Sequence, residues 1–216
     1  MLVTFSGLDG AGKSTLIAAL RQTLEERRYP VAVVHMDRDV GTYALLRGAR
    51  DRLAAARGRR ARPGRLASRP ARAQGRWRRM RDAVVWGRGL RRVLFPMDVL
   101  LFLCHRLYHE RLRGRVLITD RYFYDSLVDV ADGRQWAHLR WLARLAPTPS
   151  IAVFVAVGPE DAFARKGEYS VEYLRRRWAA YQRVFSWVPQ AVVVANADAA
   201  ASTRQLQHLV LGRIGR

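Results

Sequence analysis

The sequence predicts an α/β fold in which helices flank a five-stranded parallel sheet. Five short apolar runs alternate with longer helical patterns, and a glycine-rich loop joins the first run to the first helix. A helix between two strands forms a crossover that makes the strands parallel. With 216 residues, the chain is expected to form one domain, residues 1–216. The predicted strands are Leu2–Ser6, Val31–Met36, Arg115–Asp120, Ile151–Val157 and Gln190–Ala195.

The first strand runs directly into GLDGAGKST at positions 7–15, which has the spacing G-x-x-x-x-G-K-S and precedes a helical pattern from Lys13 to Arg28. Glycines let backbone N–H groups wrap around an anion, and a helix N-terminus adds partial positive charge. This context predicts the phosphate loop of the three-layer P-loop NTPase fold, with ATP as ligand. Lys13 would reach the β- and γ-phosphates, and the Ser14 hydroxyl would hold Mg²⁺. The predicted ATP ligands here are Gly7, Gly10, Ala11, Gly12, Lys13, Ser14 and Thr15.

The second strand is followed by the segment DRDVGT at positions 37–42. The carboxyl edge of a doubly wound sheet faces the ligand crevice, so Arg38 is a candidate ligand of an acceptor phosphate. An ordinary solvated arginine is the alternative. A helix with leucine anchors is predicted over Tyr43–Ala56.

Arginine dominates the charge of the chain. The formal net charge is +21, with 37 arginines and two lysines, and residues 47–92 hold 17 arginines against two aspartates. Glycine and proline interrupt the arginines between about residues 57 and 76, so we expect a mobile insertion there. Residues 47–92 would suit a nucleic acid or another anionic surface. A solvated arginine-rich loop is the favoured alternative, because aromatic residues for base stacking are missing from 57–75.

A helix is predicted from Pro96 to Glu110, since proline is accepted in the first turn of a helix. It is apolar nearly all round, which predicts an interior position. Phe102 and Arg106 lie four residues apart on one face, and a buried arginine needs a partner. That partner would be a ligand, or else Arg106 pairs with a nearby carboxylate and Phe102 is a core residue.

The third strand ends in Asp120-Arg121-Tyr122. An apolar strand that ends in aspartate next to a phosphate loop suggests a carboxylate near Mg²⁺, so Asp120 is a predicted metal ligand. Arg121 could hold a phosphoryl group in a bidentate fork. The alternative is that Asp120 caps the next helix. Asp125 and Asp129 would line the acceptor site or be solvated.

A lid is predicted at about residues 165–170, where Arg165 and Lys166 precede Gly167. A cationic loop hinged at glycine can close over a triphosphate and exclude water. Helices are expected before Pro147, from Val171 to Phe185, and from the Asn196–Asp198 loop to Leu211.

The single cysteine, Cys104, cannot form an internal disulfide, which favours a reducing compartment. The longest apolar run, from Val99 to Cys104, is too short to span a bilayer. Met1 runs straight into the first strand, where a signal peptide would not fit. We therefore expect a cytoplasmic protein without a membrane span.

Taken together, these motifs make the chain resemble the thymidylate kinase family of P-loop nucleoside monophosphate kinases. The resemblance excludes roughly residues 43–93, and it includes the phosphate loop, Leu100-Leu101-Phe102 with Arg106 and His109, Asp120-Arg121-Tyr122, and the basic lid. The family's usual Glu-Pro-Gly-Gly-Thr after the second strand is replaced here by residues 37–42. That difference bears on the acceptor pocket rather than on the phosphate chemistry.

The resemblance implies a role for each matching residue. Asp9 would position the sugar of the acceptor nucleotide, Phe102 would stack on its base and Arg106 would contact the base edge. Arg121, Arg38 and Tyr122 would complete the acceptor site. Arg165 and Lys166 would act on the donor phosphates, with Lys13, Asp9 and Arg121 as the other catalytic residues. Asn196 would lie near the donor adenine, and a homodimer would fit the family.

The predicted function is transfer of the γ-phosphoryl group of ATP, with Mg²⁺, to a nucleoside monophosphate, dTMP above others. One alternative is another acceptor, a hydroxyl of a nucleoside, sugar or metabolite, with Asp37, Asp39 or Asp125 as the base. A second alternative is a nucleic-acid-associated ATPase that uses residues 47–92.

Overall fold

A computed structural model describes residues 1–40, 88–131, 136–196 and 198–215 of the chain. Five strands form one parallel sheet in the order β2-β3-β1-β4-β5. The predicted α/β architecture, a P-loop kinase fold, is confirmed. The strands are β1 (Leu2–Gly7), β2 (Val31–His35), β3 (Val116–Asp120), β4 (Ile151–Ala156) and β5 (Ala191–Ala195).

Helices in the described ranges connect these strands and cover the sheet. The long helix α3 continues into a π-helical turn over Tyr108–Leu112. The helices are α1 (Lys13–Glu26), α2 (Met36–Asp39), α3 (Arg88–Leu107), α4 (Phe123–Val130), α5 (Trp136–Leu145), α6 (Pro159–Lys166), α7 (Val171–Phe185) and α8 (Ala199–Ile214).

The central strand β1 positions the phosphate loop. It pairs with β3 on one side and β4 on the other, with Phe5 opposite Asp120 and Gly7 opposite Val155. Because all three strands are parallel, their carboxyl ends meet at one edge of the sheet. In sheets of this type, ligands bind in the crevice at that edge.

All six residues of β1 are buried, and so are Leu16, Leu20 and Leu24, which recur at helical spacing on α1. A strand buried on both faces has no polar face, which explains the continuous apolar runs in the sequence. The helix that follows the phosphate loop is thus fastened to the core by its apolar stripe.

Two predictions about α3 are wrong. The helix begins at Arg88, so Pro96 lies in its interior and not in its first turn. The helix is also not interior throughout, because Leu100, Leu103 and Leu107 are exposed. In the described part of the chain, these leucines form an uncovered apolar face with Met97, Tyr108 and Leu112. Nearly uniform hydrophobicity in a sequence therefore did not mean burial on every side.

Other predicted elements differ by a few residues at their ends. β2 stops at His35, and Met36 begins the short helix α2. Two predictions lie outside the described residues: the helix over 43–56 and the insertion at 57–76. Most of a third, the basic patch at 47–92, also lies outside them, since the structure describes this patch only from residue 88. Within the described ranges, every helix is too short or too polar to cross a lipid bilayer.

Replacing Phe102 by alanine should lower the free energy of unfolding by about 3–5 kcal/mol, since its ring is fully buried and a cavity would remain. Urea denaturation would measure the change. The control is Leu209→Ala, because Leu209 lies on the exposed side of α8 and its loss should cost at most about 0.5 kcal/mol. Equal costs for the two variants would contradict the core position of Phe102.

Candidate active site

The phosphate loop between β1 and α1 is built on glycines in the left-handed region. Gly7, Gly10 and Gly12 have φ of 146°, 91° and 86°. A Cβ on Gly7 would stand 2.6 Å from the carbonyl oxygen of Val155, and one on Gly10 would stand 2.6 Å from that of Ala162. The loop therefore needs glycine both for its backbone angles and for its contact with β4 and α6.

Lys13 is folded back into the loop that precedes it. Its Nζ donates hydrogen bonds of 2.8 Å to the carbonyl oxygens of Gly7 and Leu8, and its side chain is 7% exposed. Burial lowers the pKa of Lys13, and the nearby Asp125 carboxylate opposes that shift. The ammonium group is thus buried within the glycine-rich loop and bound by two of the loop's carbonyl oxygens.

Asp9 and Arg121 form an ion pair across the site, with 2.5 Å between Oδ1 and Nη2. Burial acts to raise the pKa of Asp9, but the charges of Arg121 and Lys13 outweigh it, so the pKa is lowered. Asp9 Oδ1 is also 4.0 Å from Lys13 Nζ. The structure therefore brings three of the predicted catalytic residues into one cluster.

The backbone of Arg121 adopts a conformation that non-glycine residues seldom take. Its φ is 66°, and its amide donates a 2.9 Å hydrogen bond to the carbonyl of Phe5. A left-handed conformation of this kind costs about 1 kcal/mol or more, and it persists only where the surrounding structure enforces it. This turn at the end of β3 directs Arg121 toward the phosphate loop.

The predicted magnesium ligands lie on either side of the loop. Ser14 is exposed at the start of α1, and Asp120 ends β3 with its Oδ2 3.9 Å from His35 Nε2. Within the described ranges, groups of three or more acidic, histidine or cysteine side chains suited to a metal are missing. Mg²⁺ bound with a nucleotide needs few protein ligands, since phosphates and water supply the rest, so one hydroxyl and one carboxylate fit it.

The predicted lid residues lie at the end of α6. Arg165 Nη2 donates a 3.0 Å hydrogen bond to the carbonyl of Asn196, and Lys166 is exposed with Glu168 3.1 Å away. Gly167 ends the helix in the left-handed region, with φ 62°. Asn196 is buried against the phosphate loop, where its Nδ2 donates a 2.8 Å hydrogen bond to the carbonyl of Ala11.

Two predicted contacts with the base do not fit the geometry. Phe102 packs edge-on against Tyr122 and Phe123 without exposed surface, so its ring offers no face to a base. Arg106 pairs with Glu110, at 2.7 Å, and donates to the carbonyl of Thr148. Glu110 also contacts the Met1 amine, which places Arg106 near the opposite edge of the sheet from the phosphate loop.

The third correction concerns Tyr122, a predicted substrate ligand. Its side chain is fully buried, and its hydroxyl donates a hydrogen bond to the carbonyl of Pro147. Arg38 lies in α2, after the carboxyl end of β2, and its side chain is outside what the structure describes.

Sequence reasoning missed a buried polar network behind the loop. Asp125 is 2% exposed and accepts hydrogen bonds from Ser6 Oγ and Tyr181 Oη, both at 2.6 Å. Arg177 is paired with Asp129 at 2.5 Å, and its charge contributes to the lowered pKa of Asp9. The signal was the four-residue spacing of Asp125 and Asp129, which matches one face of a helix.

Five curated relatives, each named as a probable thymidylate kinase, match the chain. A probable thymidylate kinase of Thermococcus gammatolerans is 26% identical over 80% of this chain and 73% of its own length. That of Thermococcus onnurineus is 27% identical over 80% and 74%, and that of Thermococcus kodakarensis is 27% identical over 76% and 70%. No protein-family model matches the chain.

The chain is thymidylate kinase-like. Its resemblance to that family, inferred from the phosphate loop and from Asp120-Arg121-Tyr122, is confirmed by these relatives. The same relatives support an enzyme of the nucleoside monophosphate kinase class. In this thymidylate kinase-like chain, the clustered residues are Lys13, Asp9 and Arg121, at the carboxyl edge of the sheet.

Replacing Gly10 by alanine should weaken pyrophosphate binding about tenfold or more, because the new Cβ would strain the loop against α6. Titration calorimetry with pyrophosphate measures the effect. The matched control is Gly114→Ala: Gly114 also has a positive φ, of 59°, but among the residues that the structure describes nothing lies within 4 Å of its Cβ position. A similar loss in both variants would show that the close contact is unimportant.

Proposed function

We propose that this chain transfers the γ-phosphoryl group of ATP to a nucleoside monophosphate, with dTMP as the acceptor. The observation that carries the proposal is the cluster of Lys13, Asp9 and Arg121, which joins the phosphate loop to the end of β3. The similarity to probable thymidylate kinases supports the choice of acceptor.

The reaction asks for alignment and for neutralisation of charge. An oxygen of the acceptor phosphate attacks the γ-phosphorus, the bond to the β–γ bridging oxygen breaks, and ADP leaves. Lys13 holds the donor phosphates, and Arg121 holds the acceptor or the transferring phosphoryl group. Cations already fixed in a partly buried site stabilise developing charge without reorganisation at the moment of reaction.

A general base is not required for this acceptor, because a phosphate monoester already carries nucleophilic anionic oxygens at neutral pH. Asp9 is therefore given a positioning role: it pairs with Arg121 and, in the complex, contacts the sugar of the acceptor. A hydroxyl acceptor would need a base instead, and Asp9 with its lowered pKa is a weak one.

Ser14 and Asp120 would hold Mg²⁺ when the nucleotide is bound, and the ion would screen the phosphate charges during transfer. Arg165 and Lys166, in the last turn of α6, would act on the donor phosphates from that helix end. The segment after α6 would close over the phosphates by moving about Gly167, the glycine that ends the helix. Asn196, against the phosphate loop, would border the donor base.

The predicted homodimer is proposed to use the apolar face of α3. Leu100, Leu103 and Leu107 are exposed in the described part of the chain. In a two-fold dimer, pairing of these faces would bury the apolar surface of α3 in each copy. Light scattering should show a dimer that Leu107→Glu converts to monomer. A monomer in the unchanged protein, or an intact dimer in the variant, would refute this assignment.

The test of the function is ADP release with Mg·ATP across a panel of acceptors: dTMP, dUMP, other nucleoside monophosphates, thymidine, single-stranded DNA and none. Turnover is expected with dTMP in preference to the others. Turnover with thymidine but not with monophosphates would favour a hydroxyl acceptor, and stimulation by DNA would favour a nucleic-acid-associated ATPase. Either result would refute the proposal.

Lys13→Ala should abolish dTDP formation, because the donor phosphates lose their buried cation. Arg121→Ala should lower kcat/KM for dTMP about 100-fold or more with ATP affinity retained, since it removes a charge at the acceptor side. Initial rates and ATP titrations measure both. Arg21→Ala is the control, because Arg21 lies exposed on α1 and pairs with Glu25. Full activity without Lys13 or Arg121 would contradict these roles.

A further inference from the structure

One buried carboxylate behind the active site is unused by the reaction as proposed. Asp125 lies in the first turn of α4, 2% exposed, and both of its oxygens accept hydrogen bonds. Oδ2 accepts from Ser6 Oγ at 2.6 Å and from the amide of Tyr122 at 2.9 Å, and Oδ1 accepts from Tyr181 Oη at 2.6 Å. Burying a carboxylate is costly unless hydrogen bonds such as these three compensate for the lost water.

The three donors come from three different elements. Ser6 precedes the first glycine of the phosphate loop on β1, the Tyr122 amide follows Arg121 in the chain, and Tyr181 belongs to α7. A single carboxylate therefore joins the strand that carries the phosphate loop, the turn that presents Arg121 and the helix that follows the lid.

The bond to the Tyr122 amide bears directly on Arg121. The amide of Arg121 donates to the carbonyl of Phe5, and the amide of the next residue, Tyr122, donates to Asp125. Between these two hydrogen bonds, Arg121 is kept at its left-handed φ of 66°. Without the second bond, the turn is free to relax to an ordinary conformation and the guanidinium would move away from Asp9.

Tyr181 is the last member of a ladder along α7. The rings of Tyr169 and Tyr173 lie 4.9 Å apart, Arg177 Nη1 donates to Tyr173 Oη at 3.1 Å, and Arg177 Nη2 reaches Tyr181 Oη at 3.5 Å. The guanidinium of Arg177 also lies over both tyrosine rings of α7. This series of contacts begins at Tyr169 in the lid segment, and its last member, Tyr181, donates to Asp125.

We propose that Asp125 and Tyr181 are a positioning pair for phosphoryl transfer: they hold the Arg121 turn in its reactive geometry and couple it to the helix that follows the lid. The proposal rests on the proposed function for its kinetic consequences. Asp125 does not contact the nucleotides; it acts through the amide of Tyr122, and Tyr181 acts through Asp125. A carboxylate suits this position better than an amide does, because both of its oxygens accept hydrogen bonds. An asparagine would turn its NH₂ group, which is a donor, toward groups that also donate.

Tyr181→Phe is the sharpest kinetic test, because it removes one O–H donor and keeps the ring packed on Phe154 and Phe185. We expect kcat/KM for dTMP to fall about tenfold or more, as for loss of a hydrogen bond to a charged group, with the dissociation constant for ATP unchanged. Tyr124→Phe is the matched control. Tyr124 is a buried tyrosine next to Asp125, and its hydroxyl makes no hydrogen bond within the described ranges.

A double-mutant cycle separates positioning from general stability. If Tyr181 acts through Arg121, Tyr181→Phe should cost little activity in an Arg121→Lys background. A loss of the same size in both backgrounds, or an equal loss in Tyr124→Phe, would overturn the proposal. So would a Tyr181→Phe protein with lower thermal stability and wild-type kinetics.

Amide exchange gives a readout that needs no activity. Hydrogen exchange of the Tyr122 amide, resolved by NMR, should be faster in both Tyr181→Phe and Asp125→Asn than in the unchanged protein, and unaltered in Tyr124→Phe. Unchanged protection in Tyr181→Phe would overturn the proposal even if Asp125→Asn does not fold. If the unchanged protein phosphorylates none of the acceptors, the proposed function fails, and the exchange result still decides whether Asp125 holds this turn.

Discussion

The contact on which the rest of the site depends is the close approach of the phosphate loop to β4 and α6. Gly7 and Gly10 lie so near the carbonyl groups of Val155 and Ala162 that neither position has room for a side chain. This contact fixes where α1 begins, and hence where Lys13 lies. The amino acid that carries no side chain thus determines the positions of the side chains that do the chemistry.

In this structure the two central cations of the site already have hydrogen-bond partners within the protein. Lys13 is bound by the carbonyls of Gly7 and Leu8, and Arg121 by Asp9, so the cations proposed for phosphates have protein partners. A phosphate must replace these partners, which lowers its net binding energy but favours multiply charged ligands over weak anions. A triphosphate repays that cost better than a single inorganic phosphate does.

The sequence was sufficient for the sheet, the phosphate loop and the position of Arg121 after β3, since local patterns determine them: apolar runs, glycine spacing and a strand that ends in Asp-Arg. Phe102 and Arg106 were placed at the base by resemblance, but the structure agrees with the alternative, a core phenylalanine packed on Phe123 and an arginine paired with Glu110 four residues away. The sequence was insufficient for Asp125, whose role depends on distant partners. Asp125 was left between two interpretations, because Ser6 and Tyr181, its partners, lie 119 and 56 positions away along the chain.

The scarcity of lysine has a practical consequence for chemical labelling. The chain has two lysines, of which Lys13 is buried in the phosphate loop while half of the Lys166 side chain is exposed. Of the two lysines, an amine-reactive dye would therefore modify Lys166 well before Lys13. A fluorophore on Lys166 would report on the end of α6 and the segment that follows it. The many arginines of the protein would stay unlabelled, because guanidinium groups do not react with such reagents.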